Sequence, residues 1–258
     1  MNLSISNIAW SSDYDPEMYT FLKDHGFNGL EIAPTRIFPQ NPYDHISEAK
    51  DFAVQLKNRH GLCISSMQSI WYGISESIFG TDDDRQKLID YTKKAVDFAE
   101  AIGCRNLVFG CPKNRVIPSL EWLPTAYSFF YEIGSYAEVH DRVIALEPNP
   151  PYYNTNFINS TSEAFSFCDQ VDCEGLKVNV DLGTSIHYDE SIDFLNANIA
   201  MVNHIHISEP MLAPIEQRAL HGQLKALDYN KFFSIEMKNP NDIELVKQAI
   251  LYVKRVMA

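Results

Sequence analysis

Apolar residues in this chain gather in short runs, and longer stretches with helical spacing separate those runs. The runs predict strands at Leu3–Ala9, Gly29–Ala33, Cys63–Ile70, Asn106–Gly110, Val143–Asn149, Lys177–Leu182, Val202–Ser208 and Phe232–Met237. Between them the pattern predicts helices. Pro16–Asp24 has Asp15 as its expected cap and Pro16 at the first helical position. In Ser47–His60, Ala49, Phe52, Ala53 and Leu56 share one face, and Gly61 is a stop signal. Asp83–Ile102 repeats the design and ends at Gly103. Trp122–Glu138, Ser162–Asp169, Ser191–Ala197 and Asp242–Val256 complete the set, the last with Asn241 as its expected cap.

Strand and helix in strict alternation imply a parallel sheet. Eight such units in 258 residues favour an α/β fold of one kind, a single (β/α)8 TIM barrel spanning residues 1–258, over an open doubly wound sheet. Neither GxGxxG nor GxxxxGK[ST] occurs to support the open sheet. The seventh unit is shortened. About two dozen residues separate Ser208 from Phe232, they include Pro210 and Pro214, and only a short helix within Glu216–Leu227 fits. Pro148–Asn159 reads as a loop excursion at the top of the barrel, the end where this fold builds its active sites.

Each of four apolar strands ends on an ionisable group: Glu147, Asp181, His206 and Glu236. Gaps of 34, 25 and 30 residues separate them, about one β/α unit each, so they are neighbours around the rim. Burying three carboxylates and an imidazole together is costly without a shared counter-charge, and a divalent cation is the simplest one. Carboxylate oxygens with one imidazole suit Mn²⁺ or Mg²⁺, and Co²⁺ or Zn²⁺ also fits the donor set. No cysteine belongs to the set, which weakens the case for a structural zinc.

A formal charge of −13 and a pI near 5.0 argue against a general nucleic-acid surface. Cys63, Cys104, Cys111, Cys168 and Cys173 form no CxxC pair. With no leader-like start and no apolar run of membrane-spanning length, free thiols and a cytoplasmic location are the expectation. No membrane partner is expected, and a homo-oligomer is left open.

On these residues the chain resembles the xylose-isomerase-like TIM-barrel superfamily of sugar isomerases and epimerases. The ordered set Glu147, Asp181, His206, Glu236 carries most of the resemblance, with Gly29-Leu-Glu-Ile32 and Ala101-Ile-Gly-Cys104 in support. The resemblance implies all four as ligands of one divalent metal and Glu147 and Glu236 as the catalytic pair. It implies a small-molecule sugar or sugar phosphate as substrate. One glutamate would remove a proton beside the sugar carbonyl, and the other would return one through an enediolate. The endonuclease branch of the superfamily needs histidines after strands three and four. Here those segments read Ser66-Met-Gln-Ser-Ile70 and Phe109-Gly-Cys-Pro112. Thr184, Leu212 and Tyr153 stand where many epimerases of the family carry histidine, arginine and glutamate. A keto-inositol-type dehydratase, and a non-catalytic barrel that binds metal and sugar, are the alternatives.

Around this set the candidate substrate contacts are Glu31, Trp71, Lys113, Asn149, His187 and Lys238. Glu31 could equally pair with Arg36. Lys113 and Arg115 suit a substrate phosphate or a solvated loop. Trp10, Trp71 and Tyr153 are candidate pocket walls, His204 a barrel-interior histidine, and His187 and His221 loop residues.

Overall fold

The computed structural model describes residues 1–258. Its eight strands are β1 Asn2–Ile5, β2 Gly29–Ile32, β3 Cys63–Met67, β4 Asn106–Phe109, β5 Val143–Leu146, β6 Leu176–Asp181, β7 Val202–Ser208 and β8 Phe232–Glu236. All pairings are parallel, and the order β1-β8-β7-β6-β5-β4-β3-β2 follows the chain around a ring. A single bridge between Ser6 and Glu31 completes the ring between β1 and β2. This is the TIM barrel expected from the alternating pattern.

The helices are α1 Asp15–Asp24, α2 Pro34–Ile37, α3 Ile46–His60, α4 Asp82–Ala101, α5 Leu123–Val139, α6 Thr161–Val171, α7 Leu182–His187, α8 Ile192–Ala197, α9 Ala219–Gln223 and α10 Ile243–Met257. Gly61 ends α3 in the left-handed conformation (φ 71°) and donates its N–H to the Lys57 carbonyl. Thr81 and Asp84 open α4 with a reciprocal capping box.

Several local expectations are corrected. Asp15 lies inside α1 instead of capping it, because its carboxylate accepts from the Trp10 indole and the Arg36 guanidinium. Asp242, not Asn241, caps α10. The first strand stops at Ile5, and Asn7–Ala9 coils into a 3-10 turn where Asn7 Oδ1 accepts from the Ala33 N–H. The seventh unit is short, as expected: between β7 and β8 lie the five residues of α9 and two 3-10 turns, Pro210–Leu212 and Leu224–Ala226. Helix α7, absent from the sequence reading, begins directly after β6 with Asp181 as its cap.

Apolar side chains of strands and helices merge into one core between the two layers. Trp71, Phe109, Phe129 and Phe130 meet there edge to face, the arrangement that ring quadrupoles favour. All five cysteines are unpaired. No helix is long and apolar enough to cross a membrane.

Helix α5 lies unusually close to the turn before β6. A side chain at Gly175 would overlap the Gly134 carbonyl oxygen and reach to 2.8 Å from the Glu138 nitrogen. Both atoms are backbone, so neither can yield without moving the helix. Gly175→Ala should therefore lower unfolding stability by about 1–3 kcal/mol, the usual cost of overpacking. Urea denaturation checks this, and a midpoint equal to wild type would contradict the close-approach argument.

Candidate active site

Register decides which strand ends meet. Asp181 on β6 pairs with His206 on β7, and Ser208 on β7 pairs with Glu236 on β8. Alternate residues share a face, so Asn179 with Asp181, and His204 with His206 and Ser208, form inward rows. Glu147 follows β5 immediately, and its N–H donates to the Phe109 carbonyl at 3.0 Å. One donor atom from each of Glu147, Asp181, His206 and Glu236 lies within 4.8 Å of the other three.

His206 is the fully buried hub. Its Nδ1 lies 2.9 Å from Glu147 Oε1 and 3.0 Å from Glu236 Oε2. Its Nε2 lies 2.9 Å from Oε2 of Glu31, which is also fully buried. Glu147 accepts from Asn179 Nδ2 at 2.7 Å and from Asn149 Nδ2 at 3.2 Å. Asp181 Oδ1 accepts from the Thr184 N–H (2.7 Å) and hydroxyl (2.9 Å), and Oδ2 accepts from the Ser208 hydroxyl. Gly110 leaves room for this cluster, since a Cβ there would stand 2.8 Å from Glu147 Oε2.

Protonation follows from this crowding. Burial and the Glu147 charge raise Asp181 to about 6. Burial, with Glu147 and Glu31 nearby, raises Glu236 to about 7 against the pull of His206. Burial alone would lower His206, but Glu236, Glu31 and Glu147 together drive it well above its ordinary value. Glu31 shows the converse. Burial pushes it up, yet His206 and His204 outweigh burial and hold it well below the carboxylate range. Burial lowers His204.

Glu147, Asp181 and Glu236 open on a cavity of about 170 Å³. Gln68, Ser69 and Asn149 add polar groups to its wall, and Tyr153, Leu212 and Pro112 add apolar surface. Other expected contacts fall elsewhere. Glu31 sits beneath His206, out of the cavity, and Arg36 pairs with Asp15 at 2.6 Å. Trp71 is core, its indole N–H on the Thr92 hydroxyl, and Trp10 is buried with its N–H on Asp15. Lys113, His187 and Lys238 are exposed and line no part of the cavity. His187 ends α7 and packs edge-on against Tyr152. His221 is buried on α9 against the Tyr252 hydroxyl, not on an open loop.

The sequence reading missed Asn179 and Ser208 as partners of the carboxylates. Their signal was strand parity, since each shares a face with a member of the set. It also missed the task of Arg115. That side chain is fully buried and donates to the carbonyls of Phe157, Ile158 and Glu147 and to Asn149 Oδ1.

Residues 19–256 match the xylose isomerase-like TIM barrel family. The chain belongs to that family. D-psicose 3-epimerase from Clostridium cellulolyticum H10, solved with D-tagatose, is similar at 17% identity and a TM-score of 0.78, over 100% of this chain and 99% of that one. The IolI protein with a bound zinc atom is similar at 16% identity and TM-score 0.71, over 99% and 96%. The probable 3-DHS dehydratase AsbF from Bacillus anthracis is similar at 17% and 0.73, over 97% and 98%. At these identities the likeness establishes the fold. No curated protein matches the sequence.

The clustered donors fit a divalent cation. Three carboxylates and one imidazole nitrogen converge, hydrogen bonds from Asn149 and Asn179 orient Glu147, and hydrogen bonds from Thr184 and Ser208 orient Asp181. Two expectations follow. Without metal, the raised Asp181 and Glu236 favour folding at low pH, and that contribution is lost as pH rises through about 6 and about 7. The raised His206 acts in the same direction, because its stabilising proton leaves only as pH climbs through its folded value. Chelator-treated protein should melt lower at pH 8 than at pH 6, and added Mn²⁺ should raise Tm more at pH 8. A Mn²⁺ gain that is larger at pH 6 would contradict the assignment.

The second concerns Glu31. Accepting the Nε2 proton of His206 fixes the ring with Nδ1 facing the other carboxylates. Glu31→Gln should weaken Mn²⁺ binding about 10- to 100-fold in a competition titration with a chelating dye. Unchanged affinity would remove Glu31 from this role.

Proposed function

We propose that the protein is a divalent-metal-dependent sugar isomerase or epimerase. The observation that carries this reading is the convergence of Glu147, Asp181, His206 and Glu236 within 4.8 Å at the C-terminal mouth of the barrel. The bound sugar of one similar structure and the bound zinc of another support it. Those four residues would hold Mn²⁺ or Mg²⁺, with Co²⁺ or Zn²⁺ compatible with the same donors. A cation there would polarise a substrate carbonyl and acidify the neighbouring C–H.

The rest is the work of the side chains. Asn149 and Asn179 clamp the Glu147 carboxylate, so its orientation is set before substrate arrives. Glu236 reaches the same cavity from β8. One carboxylate takes the proton beside the carbonyl, and the other returns a proton. Return to the opposite face of the same carbon gives an epimer, and delivery to the adjacent carbon gives the aldose–ketose isomer. Tyr153 and Leu212 add apolar surface to the wall of the same cavity.

Glu236→Gln should cut deuterium wash-in from heavy water into a bound ketose by about a hundredfold or more, with melting behaviour kept. Mass spectrometry of a ketose and aldose panel with Mn²⁺ reads this out. Exchange at the wild-type rate would exclude Glu236 as the proton carrier, and loss of water from the product would move the protein to the lyases.

A further inference from the structure

We propose that the opposite end of the barrel, where the strands begin, holds a second ligand site, one for a small hydroxylated anion such as a sugar phosphate or a sugar acid. The inference stands apart from the isomerase reading, because the two cavities share no lining residue.

Strand starts define the place. Asn2, Cys63, Asn106, Val143 and Phe232 are the first residues of β1, β3, β4, β5 and β8, and all five line one cavity of about 430 Å³. That volume falls within the roughly 300–1,000 Å³ of small-molecule pockets. Barrels of this kind fill their interior mainly with branched apolar side chains. Here Ser65, Asn106, Asn203 and His204 make part of the wall polar.

One of these polar groups lacks a partner. Between Leu30 and Glu31 of β2 the pairing jumps from Ile64 to Ser66 of β3, so Ser65 is an extra residue in the ladder. A Cβ on Gly29 would stand 2.9 Å from the Ser65 Cβ. Gly29 shares the inward parity of Glu31, so Ser65 also faces the barrel interior. Ser65 is 6% exposed, and its Oγ makes no hydrogen bond. A buried hydroxyl without a partner is costly, and a ligand hydroxyl would supply one. Asn106 Nδ2 donates to Ser66 Oγ at 2.9 Å, and Asn203 Nδ2 donates to Asn106 Oδ1 at 2.6 Å. Each amide nitrogen carries two N–H groups, so each keeps one to offer.

Charge supplies the other half. Arg105 and Lys231 line the cavity, no carboxylate does, and the chain as a whole carries −13. Lys231 Nζ donates to the Val202 carbonyl at 3.0 Å and to Asn203 Oδ1 at 2.9 Å, both neutral, and keeps its third proton. Arg105 pairs with Asp141 through one terminal nitrogen, and Lys177 pairs with Glu174 at 2.8 Å. Burial and the charges of Lys177 and Arg105 lower the Lys231 pKa. Like charges therefore face one another at this rim, and an anion there would relieve the repulsion. Its hydroxyls would meet Ser65 and the two amides. The two ends of the barrel thus have opposite character, carboxylates at one and cations at the other.

The test is calorimetric titration of Mg²⁺-loaded full-length protein with D-glucose 6-phosphate, D-gluconate and D-glucose. At least one anion should bind about tenfold or more tighter than D-glucose, and the tighter anion tells a phosphate site from a carboxylate site. Lys231→Gln should weaken that binding about tenfold or more. Arg105→Gln, at an exposed position, stands in if the first variant does not fold. Ser65→Ala should weaken it about threefold or more, and unchanged affinity there would overturn the site, since a hydroxyl serving only the fold would not touch the anion. Glu236→Gln should leave it unchanged, because Glu236 belongs to the other cavity. D-glucose binding as tightly as both anions would overturn the proposal, as would the absence of saturable binding by either anion. Anion affinity that survives Lys231→Gln but falls with Glu236→Gln would put the anion at the metal end and overturn it too.

Discussion

The buried imidazole of His206, gripped at both nitrogens by carboxylates, is the constraint around which this barrel is arranged. Nε2 meets Glu31 from β2, and Nδ1 meets Glu147 and Glu236 from β5 and β8. The Glu31 contact crosses the barrel from β7 to β2, so strands that are not neighbours in the ring must hold a fixed distance. Glu31 also makes the bridge to Ser6 that closes the ring. Closure and orientation of the imidazole therefore depend on the same residue. A charge buried this deeply is tolerated only when paired and hydrogen-bonded. Glu31 stays ionised because His206 and His204 outweigh its burial.

Outside that hub the carboxylates are held by neutral groups. Asn149 and Asn179 fix Glu147, and Thr184 and Ser208 fix Asp181. Arg115 acts one layer further back, tying the loop after β4 to the loop after β5 through carbonyl oxygens. Burial lowers its pKa to about 10, and it has no carboxylate partner. Its charge is met by carbonyl dipoles, which is consistent with a post that positions backbone and does not face a ligand. Neutral donors leave the negative charge of Glu147 and Asp181 available inward, as a cation site needs.

Much of this was legible in the sequence, for identifiable reasons. Strand period and glycine stops marked the β/α units, and Gly61 and Gly103 behave in the structure as the pattern implies. Parity along β6, β7 and β8 put Asp181, His206 and Glu236 on inward rows. Parity does not reveal which residue lies across the barrel, so the Glu31–His206 contact was hidden. It depends on ring size and register together. Loops lack any period. Lys113 and Arg115 stand two residues apart, yet one is exposed and the other fully buried, and nothing local separates them. Asp181 illustrates a third limit. It reads as a strand-end ligand, and the structure also uses it as the cap of α7 while keeping it in the cluster.

Chain length in the seventh unit ties these levels together. A full-length crossover helix would let the loop after β7 stand away from the barrel axis. With only α9 and two 3-10 turns available, the loop instead folds back onto the exit of β8, where the Lys238 N–H meets the Leu212 carbonyl. The left-handed turn at Met211 and Leu212 lies at that contact, and Leu212 and Glu236 line the same cavity. The centre can thus keep the same donor set while its wall changes, because the donors ride on strand ends and the wall rides on loops. Chemistry at the carbonyl would follow from the first and choice of sugar from the second, so the short unit bears on specificity without touching the proton-carrying groups.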